Sequence, residues 1–209
     1  MRRLIIALPI VSILASACAP STPAGPTAVL PSPTTASSAP ATTAPAPTRA
    51  PVAITTTTPA PTASFTLTSN AFAEGANIPS KFTCAGEGTS PQLSWSHAPA
   101  STKSIALIMD DPDAPAGTFT HWVAFDISPT QTEIPAGANR AGKSGKNSAG
   151  RNGYMGPCPP SGTHRYFFTL YALDLPSLGL NDGASRGEVE KAMSGHIIAQ
   201  TQLMGRYSK

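Results

Sequence analysis

The pattern of hydrophobic and polar positions predicts a mainly β domain in the part of the chain that follows residue 63. Apolar and polar residues alternate near Phe65–Leu67 and Gln92–Trp95, as they do in strands with one wet face. Ser104–Met109 is an almost continuous apolar run, which favours a strand buried on both faces. Thr120–Ile127 and Arg165–Leu173 are rich in aromatic and β-branched residues and predict two long strands.

A helical pattern replaces the alternating one after Gly183. Ser185 and Glu188 form the S-x-x-E signature of a capping box. Apolar residues then recur at helical spacing at Val189, Ala192, Met193 and Ile197. We therefore expect one clear helix here. The whole stretch of residues 64–209 is long enough to bury the core of one self-sufficient domain.

The first 17 residues predict a secretory signal peptide. Arg2 and Arg3 precede an apolar run, Leu4–Ala17, whose 14 residues are fewer than the roughly 20 needed to cross a bilayer. Small residues directly before Cys18 resemble the lipobox of bacterial lipoproteins, although Ala15 stands where that motif prefers leucine. The resemblance predicts an extracytoplasmic protein anchored to the cell membrane by acyl chains on Cys18. Ordinary cleavage beside an incidental cysteine is the alternative.

Residues 18–63 predict a linker between this anchor and the domain. The segment consists mostly of Pro, Ala, Ser and Thr, and Arg49 is its single charged residue. Prolines remove backbone donors and favour extended chain, and the few bulky apolar residues cannot offset the entropy of ordering it. We expect residues 18–63 to be disordered. The domain therefore begins at residue 64.

The charge balance argues against nucleic-acid binding. Of the 14 basic residues, Arg2, Arg3 and Arg49 lie before the domain, whereas all 11 acidic residues lie within residues 64–209. The predicted domain is therefore formally neutral, and the net charge of +3 gives it no basic surface of the kind that nucleic acid requires.

Three cysteines leave the redox state of the domain open. If Cys18 is lipidated, Cys84 and Cys158 remain. An even pair in an oxidising compartment suggests a disulfide. Two buried free thiols that never meet are the alternative, because sequence cannot place their Cα atoms within bonding reach. A metal site is not expected, since neither cysteine belongs to a C-x-x-C pair.

Two motifs carry the candidate chemistry. D-P-D-A-P ends at Pro115 and is followed closely by His121, at the junction of two predicted strands. The second motif, G-P-C-P-P-S-G-T-H-R-Y, runs from Gly156 to Tyr166 and leads a rigid Gly/Pro loop into a strand. Histidine donors, main-chain amides and aromatic walls together would suit a small anion such as phosphate.

Each of these residues also has a structural interpretation. Aspartates in a D-P-D segment usually form turns. His121 and His164 could each be structural histidines with satisfied hydrogen bonds. Arg165 more often pairs with a carboxylate than with a ligand, and Asp113 is the partner that the sequence suggests.

Two further segments accompany these motifs: S-P-x-L-x-W at Ser90–Trp95 and the ending L-M-G-R-Y at Leu203–Tyr207. With them, the chain resembles the phosphatidylethanolamine-binding protein family, and in particular its bacterial Raf-kinase-inhibitor-like branch. The resemblance implies two antiparallel sheets packed together with a few peripheral helices. It also implies a small anion-binding pocket at the surface. Carried over by position, the pocket residues are Asp111, His121, Gly156, Pro157, Pro159, His164 and Tyr166.

These observations predict a non-catalytic binding module for a phosphate- or carboxylate-bearing ligand, such as a phospholipid head group, with no cofactor. One alternative is an inhibitor or interaction module that contacts a protein partner through the proline-rich loop. Another is a hydrolase, or a metal site, built from Asp111, His121 and His164. The absence of a G-x-S-x-G or H-E-x-x-H motif weighs against the enzyme.

Overall fold

The computed structural model describes residues 63–138 and 140–209. The predicted signal peptide, Cys18 and all but the end of the predicted linker lie outside these residues. Within them, no helix is long and apolar enough to pass through a bilayer.

Eight strands form two antiparallel sheets, as the resemblance implied. The smaller sheet has the order β1–β2–β5, and its strands are Thr66–Thr68, Leu93–Ser96 and Glu133–Ile134. The larger sheet has the order β6–β4–β3–β7–β8. Its strands in chain order are β3 Ser104–Asp111, β4 Phe119–Ile127, β6 Lys143–Ser144, β7 Thr163–Leu173 and β8 Ile197–Ser208.

The core lies on both faces of the larger sheet, because the central strand β3 is buried on both. Its residues Ile105, Leu107 and Met109 pack in the cluster that includes Trp95 and Leu93 of the smaller sheet. The alternate residues of β3 belong to a second cluster with the helix and its flanking loops: Ala106, Ile108, Val189 and Met193. This arrangement explains why Ser104–Met109 reads as a continuous apolar run.

The predicted helix is present and spans Arg186–Met193 (α1). Its capping box is formed as expected: the Ser185 side chain accepts from the Glu188 amide, and the Glu188 side chain accepts from the Ser185 amide. The extension of the helix to Ile197 is wrong. Gly195 adopts a left-handed conformation (φ 82°) that ends the helical path, and Ile197 instead pairs with Leu173 as the first residue of β8.

An irregularity in the β3–β4 ladder changes which side chains share a face. Asp110 pairs with Thr120, but the preceding residue Met109 pairs with Trp122, so His121 is an extra residue in β4. Such a bulge interrupts the alternation of side chains along a strand. His121 and Trp122 are both buried, as are the residues that follow them in this two-sided core, and Trp122 packs in the cluster beneath the smaller sheet.

Candidate functional site

Three polar residues from three neighbouring strands meet at one end of the larger sheet. Asp111 ends β3, His121 lies near the start of β4, and His164 lies at the start of β7. Because β3 lies between β4 and β7 and is antiparallel to both, these three positions lie at the same end of the sheet. Each residue is at least nine-tenths buried, which is unusual for aspartate and histidine.

Asp111 and His164 form a buried ion-pair geometry. The Nδ1 atom of His164 lies 2.7 Å from Oδ2 of Asp111. The other oxygen of Asp111 accepts a hydrogen bond from the Asp113 amide at 2.9 Å. Asp111 therefore forms the turn that its structural interpretation predicted, and it also orients a histidine.

His121 is fixed by the loop that carries the second motif. Its Nδ1 lies 2.8 Å from the carbonyl oxygen of Met155, and the Met155 amide donates to the His121 carbonyl at 2.9 Å. A carbonyl oxygen can only accept, so Nδ1 carries the proton and Nε2 faces outward as an acceptor in the neutral ring. Burial lowers the pKa of His121, against the opposing effects of the Met155 carbonyl and the Asp111 charge.

Tyr166 lies behind the two histidines. Its ring meets the His121 ring edge-on, with the centroids 5.2 Å apart, and it is completely buried. Its hydroxyl has no hydrogen-bond partner among the described residues. Burial raises the pKa of Tyr166, and the nearby charge of Asp111 raises it further. The phenol therefore stays neutral.

Arg165 is directed away from this cluster and binds Asp113, which confirms the partner that the sequence suggested. The guanidinium approaches the carboxylate at 2.6 Å and 2.9 Å, and the Arg165 amide donates to the same group. These contacts hold the pKa of Asp113 at about 2, below its ordinary value of 3.8. Arg165 also lies over the Phe167 ring. Through its contacts with Asp113, Arg165 holds the turn after β3 against β7.

The Gly/Pro loop is attached to the 3₁₀ turn at Ser80–Phe82 by several contacts. A disulfide joins Cys84 and Cys158, whose Cα atoms lie 5.4 Å apart. The Cys84 amide donates to the carbonyl of Pro157, and the Tyr154 hydroxyl donates to that of Phe82. A Cβ atom at Gly156 would lie 2.8 Å from the Phe82 carbonyl oxygen, so only glycine fits this approach.

A cavity of about 350 Å³ opens over the polar cluster. Of the predicted pocket residues, Asp111, His121, Pro159 and His164 line it. The remaining three, Gly156, Pro157 and Tyr166, are buried and do not line it. The other lining residues were not named as pocket residues, although four of them lie within the two motifs: Ala114, Pro115, Ala116, Gly117, Phe119, Met155, Cys158 and Pro160. Strand periodicity could have identified Phe119, because it lies two residues before His121, and their ring centroids are 4.9 Å apart.

The polar cluster distinguishes this cavity from a larger groove elsewhere. That groove, of about 500 Å³, runs between β1 and β8, and Glu74 is the one ionisable residue in its lining. We select the smaller cavity because its two histidines and one carboxylate are buried together. Within the described residues, no group of three or more His, Cys, Asp or Glu side chains is arranged to hold a metal ion.

Comparisons with known proteins agree with this architecture. The family model for phosphatidylethanolamine-binding proteins matches residues 68–208. A UPF0098 protein of Methanothermobacter thermautotrophicus is 48% identical over 149 residues, which cover 68% of this chain and 98% of the relative. A UPF0098 protein of Aquifex aeolicus is 50% identical over 149 residues, which cover 68% of this chain and 86% of the relative.

Two solved structures share the fold. A phosphatidylethanolamine-binding protein homolog from Chlamydia trachomatis matches with a TM-score of 0.67 and 43% identity, covering 69% of this chain and 97% of its own. E. coli YBCL, described as a new member of the mammalian family, matches with a TM-score of 0.67 and 31% identity, covering 70% and 99%. The predicted fold class and the predicted resemblance are thus confirmed. This chain belongs to the phosphatidylethanolamine-binding protein family.

Proposed function

We propose that the domain is a non-catalytic binding module for a small ligand that carries a phosphate or carboxylate group, such as a phospholipid head group. One observation carries the proposal: the polar side chains of the cavity are Asp111, His121 and His164, and the rest of its lining is apolar or disulfide-bonded. A few convergent polar groups in an otherwise apolar cleft are typical of small-molecule sites. The family's name points to the same ligand class.

The described contacts favour preorganised binding. Each histidine has one ring nitrogen held by the protein, so both rings keep a fixed orientation before a ligand arrives. The disulfide and the bidentate Arg165–Asp113 pair fix the two loops that border the cavity. A site already held in its binding conformation loses little entropy when a ligand enters.

The lining also argues for binding over covalent catalysis. In the commonest form of nucleophilic catalysis, a hydroxyl or thiol is activated by an adjacent base. Among the described residues that line the cavity there is no serine, threonine or tyrosine, and Cys158 is bonded to Cys84. The Asp111–His164 pair therefore has no side-chain hydroxyl or free thiol to activate among the described residues that line the cavity.

Calorimetric titration of the purified chain with phosphoethanolamine tests this proposal. We expect saturable binding that is lost in His121→Ala and in His164→Ala. His196→Ala is the matched control, because His196 also pairs with a carboxylate but lies at the other end of β7. The absence of saturable heat with the unmodified chain would overturn the proposed function, as would equal affinity in all three variants.

The proposed location of this module is the outer face of the cell membrane. The observation behind it is the sequence before residue 64: a signal-peptide pattern, Cys18 and a proline-rich linker. Two acyl chains on Cys18 would give a stable anchor. In cells, Cys18→Ser should move the protein from the membrane fraction to the soluble extracytoplasmic fraction. An unchanged membrane fraction would contradict lipidation at this residue.

A protein partner is a second candidate, favoured by the exposed residues of the loop. Cys158 and Pro160 are exposed although the disulfide holds the loop in place. Rigid exposed segments lose little entropy on binding a partner. Loss of partner binding in Pro160→Ala, with phosphoethanolamine binding intact, would favour this reading over the first.

A further inference from the structure

Both histidines of the cavity already use one ring nitrogen within the protein. The Nδ1 atom of His121 donates to the Met155 carbonyl at 2.8 Å, and that of His164 lies 2.7 Å from the Asp111 carboxylate. Since both partners accept, the proton of each neutral ring resides on Nδ1, and Nε2 has a lone pair instead. The two neutral rings thus offer hydrogen-bond acceptors, whereas an anion needs donors.

The other lining side chains do not supply the missing donors. Apart from the three polar residues they belong to Ala, Pro, Gly, Phe, Met and the disulfide-bonded Cys158. Arg165 follows His164 in the chain, but its guanidinium is bound to Asp113. The buried carboxylate of Asp111 adds negative charge, which repels an incoming anion. The cavity as it stands therefore opposes a fully ionised ligand.

We propose that the cavity binds its oxyanion together with one proton, shared between the ligand and the Nε2 atoms of His121 and His164. This inference rests on the proposed function and specifies its ligand: a singly protonated phosphate ester or a carboxylic acid, in preference to the fully ionised form. The proton balance closes because the free site, the ionised ligand and one proton from the solvent combine to form the complex. A ligand that arrives protonated brings that proton itself.

The charged groups around His121 explain why one proton is required and why one suffices. From β3, Asp111 and Asp110 favour protonation of His121, whereas burial lowers its pKa and keeps the free ring neutral. From β7, the charge of His164 disfavours a second positive ring. Tyr166, also from β7, stays neutral because burial raises its pKa. The pair therefore accommodates one added positive charge.

Of the charged groups around His164, one is neutralised by a partner outside the cavity. Asp111 faces it from β3, and Asp113 lies close enough to sense its charge but is paired with Arg165. On the other side, Tyr207 of β8 pairs with His164 in the ladder and contributes a phenol. The one uncompensated carboxylate that contacts His164 is Asp111, which already accepts its Nδ1 proton.

Calorimetry in buffers of different ionisation enthalpy counts the protons that enter the complex. We would titrate the purified chain with phosphoethanolamine near pH 8, where its phosphate is fully ionised and histidine is neutral. We expect an uptake of about one proton per ligand, and a Kd that increases by up to tenfold per pH unit between about pH 6 and pH 8. His196→Gln, at an exposed carboxylate-paired histidine, should keep both effects.

In His121→Gln the amide offers a donor that does not titrate, so proton uptake near pH 8 should decrease. Saturable binding of phosphoethanolamine with no proton uptake and an unchanged Kd over this pH range would overturn the inference and leave the proposed function standing. No binding at any pH would overturn the proposed function itself. The measurement on the unmodified chain decides between these outcomes, even if a variant fails to fold.

Discussion

Two histidine–carboxylate pairs lie at opposite ends of β7 and have nearly the same geometry. His164 approaches Asp111 at 2.7 Å, and His196 approaches Asp174 at 2.9 Å, in both cases through Nδ1. Their surroundings differ: the side chains of the first pair are 9% and 5% exposed, and those of the second are 41% and 46% exposed. The first pair is therefore a candidate site because it is buried beside a cavity, since the pairing itself is common to both ends.

The difference in burial comes from what covers each end of the sheet. At the first end, the turn after β3 and the Gly/Pro loop cover the pair, and a disulfide attaches that loop to the 3₁₀ turn. At the second end, β7 passes through Asp174 towards the helix, and the pair remains at the surface. A polar group that is removed from water interacts more strongly with its neighbours. If it is left without a partner there, it lowers the free energy of unfolding more than an exposed group does.

Removal of the disulfide should give the largest loss of global stability, and it should loosen the first end more than the second. The bond closes a loop of 74 residues in sequence, for which chain entropy predicts a loss of about 4 kcal/mol in Cys84→Ala/Cys158→Ala. Urea unfolding measures the loss. Hydrogen exchange should accelerate at the Met155 amide, which donates to the His121 carbonyl, more than at the Asp174 amide, which donates to the His196 carbonyl. Equal acceleration at both amides would contradict the account.

Replacement of the two carboxylates is the most direct way to break the comparison. Asp111→Ala leaves His164 and the Asp113 amide without their acceptor in a buried site, so we expect a loss of about 2–4 kcal/mol in the free energy of unfolding. Asp174→Ala removes an exposed pair, and the loss should stay below about 1 kcal/mol. Urea unfolding at neutral pH checks both values. Similar losses would show that burial does not distinguish the pairs.

The pH dependence of stability should report the burial of His121. Burial lowers the pKa of His121 from its ordinary 6.5, so the unfolded chain binds a proton at higher pH than the folded one. This contribution to stability is complete above pH 6.5 and is lost as the pH falls below it, at no more than about 1.4 kcal/mol per pH unit.

Urea unfolding as a function of pH measures this loss. We expect His121→Gln to be less sensitive than the unmodified chain just below pH 6.5. A His121→Gln curve parallel to that of the unmodified chain would refute the assignment.

The smallest effect is expected at the partly exposed pair beside the site. Arg165→Ala should lower stability least of these variants at neutral pH, because water and salt screen this pair. The pKa of Asp113 should rise from about 2 towards its ordinary 3.8. The stability that this pair provides is complete above pH 3.8 and is lost as the pH falls to about 2. Carbon NMR of the Asp113 carboxyl group checks the shift.

The sequence predicted the elements whose signal is local. The buried run of β3 and the aromatic-rich β4 and β7 are present, and so is the capping box of α1. The strand β8 was missed because it lies at the edge of its sheet and carries exposed Ile197 and Ile198, which blur the alternation. Such an edge strand is therefore identified by its pairing with the neighbouring strand and less well by its own sequence pattern.

The arrangement of the site depended on contacts that the sequence does not encode locally. A regular β4 would direct His121 and Trp122 to opposite faces, and the bulge that interrupts this alternation is visible only in the pairing with β3. The distance between Cys84 and Cys158, and the hydrogen bond from His121 to Met155, likewise arise from loops brought together by the fold. Family resemblance placed His121 in the pocket in advance, and the cysteine count suggested the Cys84–Cys158 pair, whereas the contact with Met155 was not predicted.

The most direct test of the account compares the histidines in one experiment. Side-chain NMR of the purified chain would follow the imidazole resonances of His121, His164 and His196 during a titration with phosphoethanolamine. The account predicts saturable shifts with one common Kd at His121 and His164, and no saturable shift at His196. Shifts of similar size at all three histidines, or at none of them, would contradict the claim that the buried pair forms the binding site.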